Sequence, residues 1–407
     1  MGREFVAFFL PLGSIGLSSV FIVPEKLLNF VDLSSVLIVI SLVIFLFYKF
    51  KYNLKIEFRN FIDNRFVKYS YISMIIWMVC MFIVSIFNNG DNQTFAYIQR
   101  MMMFFIVGIY FCSLLEKEIF FKSIWIGLCC ASLILSFDNI YSFFVFDKWR
   151  PNSSFLGNPN KLGGYLILIL PFLLAGLYEY YSRKKILLLG LLSSVLAFIA
   201  LVISGSRGAM GGFIGSICIM SVILLTRNFC EKRKYIKIFL KIFSFMLVVS
   251  LLIYYLKPEY FIHSSDSERS RLWISAINMI KDYPWTGVGF GNFNNIYING
   301  YISPLAVEPR LTSPHNIFLH YFVNLGILGG SSFIILIITQ IYVLVKNIKN
   351  DFSQSIWIVA GLVSVLGMVI HGMVDTLITT RPYAMMYWLL YGVACCNIIR
   401  DEVVDEK

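Results

Sequence analysis

The stretch LTSPHNIFLHYFVNLGILGG, residues 311–330, opens with the polar pair His315-Asn316 and continues as an apolar run with three glycines. Ser313 is a good N-cap and Pro314 suits the first position of a helix, so the sequence predicts that His315 and Asn316 lie in the first helical turn. The positive end of the helix dipole disfavours a protonated imidazole there, and a neutral histidine can accept a proton from a hydroxyl group. His315 is therefore a candidate general base, with Asn316 as a substrate-binding neighbour. The structural alternative is a histidine that only caps a helix at the membrane interface.

The glycines of this stretch follow the histidine at a helical spacing. Gly326 comes eleven residues after His315, close to three turns of a helix, and Gly329 falls near the same line. Leu319 and Phe322 fall on that face as well. We therefore expect an inward-facing helix surface that carries the histidine above glycines against which a neighbouring helix packs closely.

A second candidate site is SGSRGAMGG, residues 204–212, between two apolar runs. Arg207 would stand at the N-terminal end of a helix, between Ser206 and Gly208. The free N–H groups and partial positive charge of a helix N-terminus, together with a guanidinium group, favour a phosphate. We expect Arg207 to bind a phosphate with Ser206 and Gly208 beside it. The alternative is an arginine that merely reaches the membrane interface.

A third candidate lies in SERSRLWISAINMIKDYPW, which contains Arg269 and Arg271. Arg269, Trp273, Ile277 and Ile280 recur at spacings of four, four and three, which predicts the face of an amphipathic helix. The proline and glycines that follow predict its end. If this helix covers the site, one of the two arginines can reach the same phosphate, and otherwise both belong to a solvated basic face.

Nucleotide and metal chemistry are less well supported. The glycines at 287, 289 and 291 have no strand before them and no helix-opening pattern after them, so they do not form a dinucleotide fingerprint. The four histidines are scattered, and no metal site or cofactor is expected. The closest case is His371 with Asp375 four residues later, which we interpret as a polar pair packed inside the helical bundle.

Composition indicates the elements that must position these residues. Apolar residues make up 58% of the chain and charged residues 14%, which is typical of a membrane protein. Apolar runs of the length that crosses roughly 30 Å of hydrocarbon recur along the chain. We predict an all-α integral membrane protein with about twelve transmembrane helices, near 5–23, 33–48, 67–87, 95–115, 119–138, 161–181, 186–203, 209–226, 238–256, 315–345, 355–376 and 383–399.

Most of the 34 Lys and Arg residues fall in segments that are cytoplasmic if both termini are cytoplasmic. The net charge of +11 is thus mainly a topology signal and a contact for the lipid bilayer, and nucleic acid binding has no separate support. Two outer segments are long, 139–160 and 257–313. The chain is predicted to be one polytopic domain, 1–407, with 257–313 as a long, partly helical extracytoplasmic loop between the ninth and tenth spans.

The motifs together resemble the O-antigen ligase and polysaccharide polymerase superfamily of membrane glycan transferases. The resemblance rests on SGSRGA at an outer turn, DYPWTGVGFGNF in a long outer loop that also carries an Arg and a Trp, and His315-Asn316 followed by Gly-x-x-Gly at 326–329. GNPNKLGGYL at 157–166 is also similar. The likeness covers roughly 155–380, and each motif is weak alone but fairly specific in this order and spacing.

The resemblance implies an enzyme that takes a glycan from an undecaprenyl-diphosphate carrier at the outer face of the bacterial cytoplasmic membrane and joins it to an acceptor glycan or lipid-linked sugar. It implies that Arg207 and the loop arginine hold the diphosphate and that His315 activates the acceptor hydroxyl. The family's loop arginine stands four residues before the tryptophan, which selects Arg269 over Arg271. Attack opposite the leaving group would invert the anomeric centre without a metal. Other polysaccharide assembly proteins are candidate partners.

The resemblance does not separate a ligase, which transfers a finished chain, from a polymerase, which adds repeat units. A twelve-span transporter or lipid-linked glycan flippase also fits the number of spans. Against that alternative, the two halves of the chain show no symmetry and the spans contain few polar residues.

Overall fold

The computed structural model describes residues 7–12, 43, 47, 50, 64–88, 117–146, 150–151, 155–226, 255, 266–306, 311–349 and 352–405. Every regular element within these ranges is helical. Eight of the described helices are long and apolar enough to cross a membrane, and they coincide with eight of the predicted spans. The all-α membrane class is therefore confirmed. The other four predicted spans, 5–23, 33–48, 95–115 and 238–256, lie wholly or largely outside the described residues.

The described helices are numbered here in chain order. The long ones are α1 Arg65–Phe87, α2 Lys117–Val145, α3 Pro159–Glu179, α4 Lys184–Ile203, α5 Arg207–Thr226, α6 Asp266–Asp282, α8 Ile317–Lys346, α9 Phe352–Gly372 and α10 Arg381–Asp405. The short helix α7, Phe293–Ile296, continues into one π-helical turn, Tyr297–Tyr301, and a 3-10 turn, Leu377–Thr379, precedes α10.

Helix α9 lies at the centre of the bundle and packs against α3, α5, α8 and α10. Glycines permit these close contacts. A methyl group on Gly361 would overlap Ala394 of α10, and one on Gly212 of α5 would lie 2.8 Å from the carbonyl oxygen of Gly367. Without a hydrophobic driving force between helices in lipid, such close van der Waals packing is a main source of their association.

Asparagine side chains fix the start of three helices. Asn64 Oδ1 accepts a hydrogen bond from Val67 N at 2.9 Å at the start of α1. Asn158 does the same before α3, where Pro159 occupies the first turn. Asn316 caps α8. These caps satisfy backbone donors that a helix start leaves without partners.

Helix α8 differs from the prediction in where it begins and in being interrupted at Gly326. It begins at Ile317, because the Asn316 side chain accepts hydrogen bonds from Phe318 N at 3.0 Å and Leu319 N at 3.1 Å. His315 therefore precedes the helix and does not lie in its first turn. The helix is also interrupted at Gly326, with φ 62° and ψ −162°. The predicted continuous face from histidine to glycines is wrong for both reasons.

The segment that the sequence predicts as a long outer loop has a small core of its own. Leu272, Ala276 and Met279 of α6 pack with Val288 and with Val323 of α8. The predicted helix is confirmed over Asp266–Asp282, but its predicted face is wrong. The buried stripe is the one that carries Ala276, whose small side chain lets α6 approach α8.

The predicted stripe of Arg269, Trp273, Ile277 and Ile280 lies beside this buried stripe. Ile277 is 43% exposed, and Trp273 and Ile280 are half-buried.

Candidate active site

Four helix ends converge at one end of the bundle: the starts of α3, α5 and α8 and the end of α9. A methyl group on Gly163 of α3 would lie 2.9 Å from the Ser206 side chain, and one on Gly164 would lie 3.0 Å from the His371 ring. At α8, Asn316 Nδ2 donates to the Met373 carbonyl at 3.0 Å. The residues predicted from separate motifs are thus brought to one place.

His315 is held in a backbone conformation that is rare for a residue with a side chain. Its φ is 48°, and it stands just before the Asn316 cap. Such left-handed residues cost free energy and persist where their surroundings fix them. Here the flanking residues tie the segment down, since Ser313 Oγ lies 2.7 Å from Thr376 Oγ1 and Asn316 bonds to the segment after α9.

The partner of His315 is Asp375, which sequence reasoning paired with His371. His315 Nδ1 lies 3.2 Å from Asp375 Oδ1, and the side chains are 33% and 9% exposed. The same oxygen accepts a hydrogen bond from Thr376 N at 2.7 Å. A carboxylate at Nδ1 places the ring proton there and leaves Nε2 with its lone pair. The pair is therefore arranged as an oriented base.

Asp375 lies beyond the end of α9, and its neighbours stabilise the ionised form of its carboxyl group. Burial alone would raise the pKa of Asp375, but the hydrogen bond and charge of His315, the nearby His371 and the Thr376 N–H lower it to about 2. The carboxylate is therefore ionised at any physiological pH and can stabilise an imidazolium that forms beside it.

Arg207 is the first residue of α5 and is exposed, as the sequence predicts. Ser206 is 2% exposed, and its hydroxyl accepts a hydrogen bond from Ala209 N at 3.4 Å, so it caps the helix. Gly208 has a packing reason to be glycine, because a methyl group there would lie 2.6 Å from Val374 and 2.8 Å from His371. Positions 206 and 208 thus have structural roles that require no ligand.

The two loop arginines face different surroundings. Arg271 donates to the Leu305 carbonyl at 2.6 Å and pairs with Glu268 at 3.2 Å, both within the loop. Arg269 instead lies close enough to Arg150 and to His371 for its charge to act on both. Of the two loop arginines, Arg269 is thus the one whose charge acts on residues near the converging helix ends.

Arg150 is a third guanidinium here that sequence reasoning missed. Its side chain donates to Asn160 Oδ1 at 2.8 Å and to the Ser204 carbonyl at 3.4 Å. Burial lowers the pKa of Arg150, and the charges of Arg269 and Arg207 lower it further. Three cations whose charges act on one another favour an anionic ligand, and guanidinium groups match phosphate oxygens in pairs. Its place in the long 139–160 segment was the available signal.

Among the described residues, no three His, Cys, Asp or Glu side chains group closely enough to hold a metal ion. What the arrangement offers is an oriented histidine beside a cluster of cations at the end of a helical bundle.

A family model and two curated relatives match parts of this chain. The O-antigen ligase family model matches residues 192–334, a range that contains Arg207, Arg269 and His315 but not Arg150 or Asp375. An O-antigen ligase of Pseudomonas aeruginosa is 30% identical over 223 residues, which is 50% of this chain and 50% of that protein. An uncharacterized protein of Haemophilus influenzae is 23% identical over 215 residues, 47% of this chain and 52% of that protein.

The chain thus spans about half the length of each curated relative that it matches. The family model and the Pseudomonas aeruginosa relative thus show that up to half of this chain is similar to O-antigen ligases.

Proposed function

We propose that the protein is a membrane glycosyltransferase that moves a glycan from an undecaprenyl-diphosphate carrier to a hydroxyl group of an acceptor sugar. The observation that carries the proposal is the His315–Asp375 pair, 3.2 Å between Nδ1 and Oδ1, together with Arg150, Arg207 and Arg269, whose charges act on one another. The charges of Asp375 and Arg269 both act on His371, which connects the pair with the arginines. A diphosphate leaving group needs cations and an attacking hydroxyl needs a base, and this site combines the two.

The acceptor side of the reaction falls to the histidine. His315 Nε2 takes the proton of the acceptor hydroxyl as its oxygen attacks the anomeric carbon. Asp375 holds the ring through Nδ1 and stabilises the imidazolium that results. The left-handed backbone at His315 fixes the direction in which the ring leaves the chain.

The donor side falls to the arginines. As the new C–O bond forms, the bond from the anomeric carbon to the diphosphate oxygen breaks, and both electrons of that bond remain on the diphosphate. Arg207, Arg269 and Arg150 stabilise the negative charge that develops on this leaving group. Attack from the opposite face of the sugar inverts the anomeric configuration, and no protein carboxylate acts as a nucleophile.

The orientation of the chain follows from the same proposal. The site lies at the outer face of the bacterial cytoplasmic membrane, where the cation-rich segments of the sequence are fewest. The donor and the acceptor would then both be lipid-anchored or envelope-bound glycans.

The test is transfer by the purified protein in lipid nanodiscs. The donor is an undecaprenyl-diphosphate oligosaccharide, supplied with and without a separate lipid-linked acceptor sugar. A single added glycan on the acceptor identifies a ligase, and a ladder of repeats without the acceptor identifies a polymerase. No transfer with a panel of donors refutes the proposal.

A further inference from the structure

The break in α8 is bridged by the outer loop. Val288 N donates to the Val323 carbonyl at 2.8 Å, Gly289 N to the Asn324 carbonyl at 3.0 Å, and Ile327 N to the Pro284 carbonyl at 2.8 Å. In an unbroken helix Ile327 N would donate to the Val323 carbonyl. The loop therefore satisfies backbone groups that the break releases, and we call residues 284–289 with 323–327 the junction.

Only glycine fits at two positions of the junction. A methyl group on Gly326 would overlap the carbonyl oxygen of Trp285, and one on Gly287 would overlap that of Val323. Both glycines also have positive φ, 62° and 63°. Backbone atoms on both sides cannot move aside as a flexible side chain could, so any side chain here separates the loop from α8.

The junction is also tied to α1. Asn88, at the end of that helix, donates through Nδ2 to the Thr286 carbonyl at 3.1 Å and to its own helix at the Val84 carbonyl at 3.2 Å. The loop is thus anchored by side-chain and backbone bonds to two membrane helices.

This anchor lies next to the helix that carries the loop arginine. Helix α6 ends at Asp282, two residues before Pro284, and its buried stripe packs on Val323 beside the break. Arg269 lies near the start of α6, and His315 directly precedes α8. The junction joins the chain just after α6 to the break in α8. It therefore helps to set the position of Arg269 relative to His315.

We propose that the junction positions Arg269 for the reaction and that Gly326 and Gly287 are positioning residues for glycan transfer. The inference rests on the proposed function for its kinetic readout, but the junction can be measured without substrate. It gives a task to Gly287 of TGVGFG, which fits no nucleotide site, and to Gly326 of GILGG.

The first experiment is hydrogen–deuterium exchange on the full chain in nanodiscs without substrate. Gly326→Ala should speed exchange at 284–289 and 323–327 and leave α9 and α10 protected. Gly300→Ala is the matched control in the same loop, because a methyl group there meets no atom within 4 Å. Unchanged exchange in Gly326→Ala overturns the junction, whether or not the wild type transfers glycan.

The second experiment separates positioning from general damage. Gly326→Ala should lower kcat for transfer about 100-fold, as misplacement of a catalytic group does, and change the donor KM by no more than about threefold. In an Arg269→Lys background the same substitution should cost less than about threefold, because the group it misplaces is already impaired. Equal losses in both backgrounds overturn the proposal.

Asn88→Ala removes the side-chain bonds to the Thr286 and Val84 carbonyls without changing a glycine, and it serves if Gly326→Ala does not fold. It should raise exchange at 284–289 and lower kcat several-fold, again only when Arg269 is intact. Wild-type exchange and kcat in Asn88→Ala, together with an unfolded Gly326→Ala, would overturn the inference. Absence of transfer by the wild type itself would instead refute the proposed function and leave the exchange result to decide the junction.

Discussion

Asp375→Asn changes one atom of the site and keeps its shape. The wild-type carboxylate accepts hydrogen bonds from both His315 Nδ1 and Thr376 N through one oxygen. An amide can present its NH2 group to the ring instead, which would place the ring proton on Nε2 and remove the proton acceptor. A hydrogen bond to a charged group contributes about 1.5–3 kcal/mol. At about 1.4 kcal/mol per tenfold change, we expect kcat to fall about 10- to 100-fold.

We expect the loss of kcat in Asp375→Asn to lie toward the lower end of this range of about 10- to 100-fold. The imidazole of His315 is 33% exposed and the bond length is 3.2 Å, so water competes with the carboxylate for the ring. A fully buried, shorter pair would lose more on the same substitution. The donor KM should change little, because Asp375 contacts the histidine and not the proposed diphosphate site.

The assay is initial-rate glycan transfer in nanodiscs at pH 7 with saturating donor. Asp375→Glu is the conservative variant, and it should recover part of the rate because it restores the carboxylate. Glu118→Gln is the control for loss of a carboxylate, since Glu118 forms an exposed ion pair with Arg183 away from the site. Full kcat in Asp375→Asn would refute the role of Asp375 as the residue that orients His315.

Three further predictions concern the rest of the site. Arg269→Ala should abolish transfer, whereas Arg271→Ala should retain most activity and lower only the thermal stability of the loop; equal losses in a rate assay would contradict this assignment. Arg150→Gln should lower kcat at least about tenfold, because it removes a cation from the proposed leaving-group site, and a wild-type rate would exclude Arg150 from the mechanism. Because the folded pKa of Asp375 is lowered to about 2, its charge stabilises the protein above about pH 4 and this contribution is lost as pH falls through about 2. The Tm gap between wild type and Asp375→Asn should therefore persist at pH 5 and shrink only in stronger acid; a gap that closes between pH 7 and 5 would argue against the lowered pKa.

The membrane helices were predictable because hydrophobic length alone specifies them. Eight predicted spans match described helices, and the motifs at their ends converge on one side of the bundle. The start of α8 was not predicted correctly, because Ser313 and Pro314 form a good local capping pattern. The Asn316 side chain bonds to two backbone amides instead, and Ser313 bonds to Thr376, sixty-three residues away. Local preference gave way to a tertiary contact.

The pairing of Asp375 was missed for a related reason. Its spacing of four from His371 indicates a contact along one helix, and the two residues are indeed buried and joined by a hydrogen bond from Asp375 N to the His371 carbonyl at 3.1 Å. However, α9 ends at Gly372 and the chain turns before Asp375. The turn frees the carboxylate to reach His315, sixty residues earlier in the sequence. The sequence did contain a signal for this pair. Asp375 follows the end of one apolar run, and His315 precedes the start of another.

The proposed site draws its residues from both the helical bundle and the loop. His315, Asp375 and Arg207 stand at helix ends of the bundle, whereas Arg150 and Arg269 come from the connections between helices. A base on the bundle and a cation on a loop can cooperate only if the loop has a fixed position. Ordering a mobile loop each time substrate binds would cost conformational entropy. Backbone hydrogen bonds join the loop to the break in α8 and so hold this part of it in place. If Gly287 and Gly326 position Arg269 as proposed, they act on the reaction without being catalytic groups themselves.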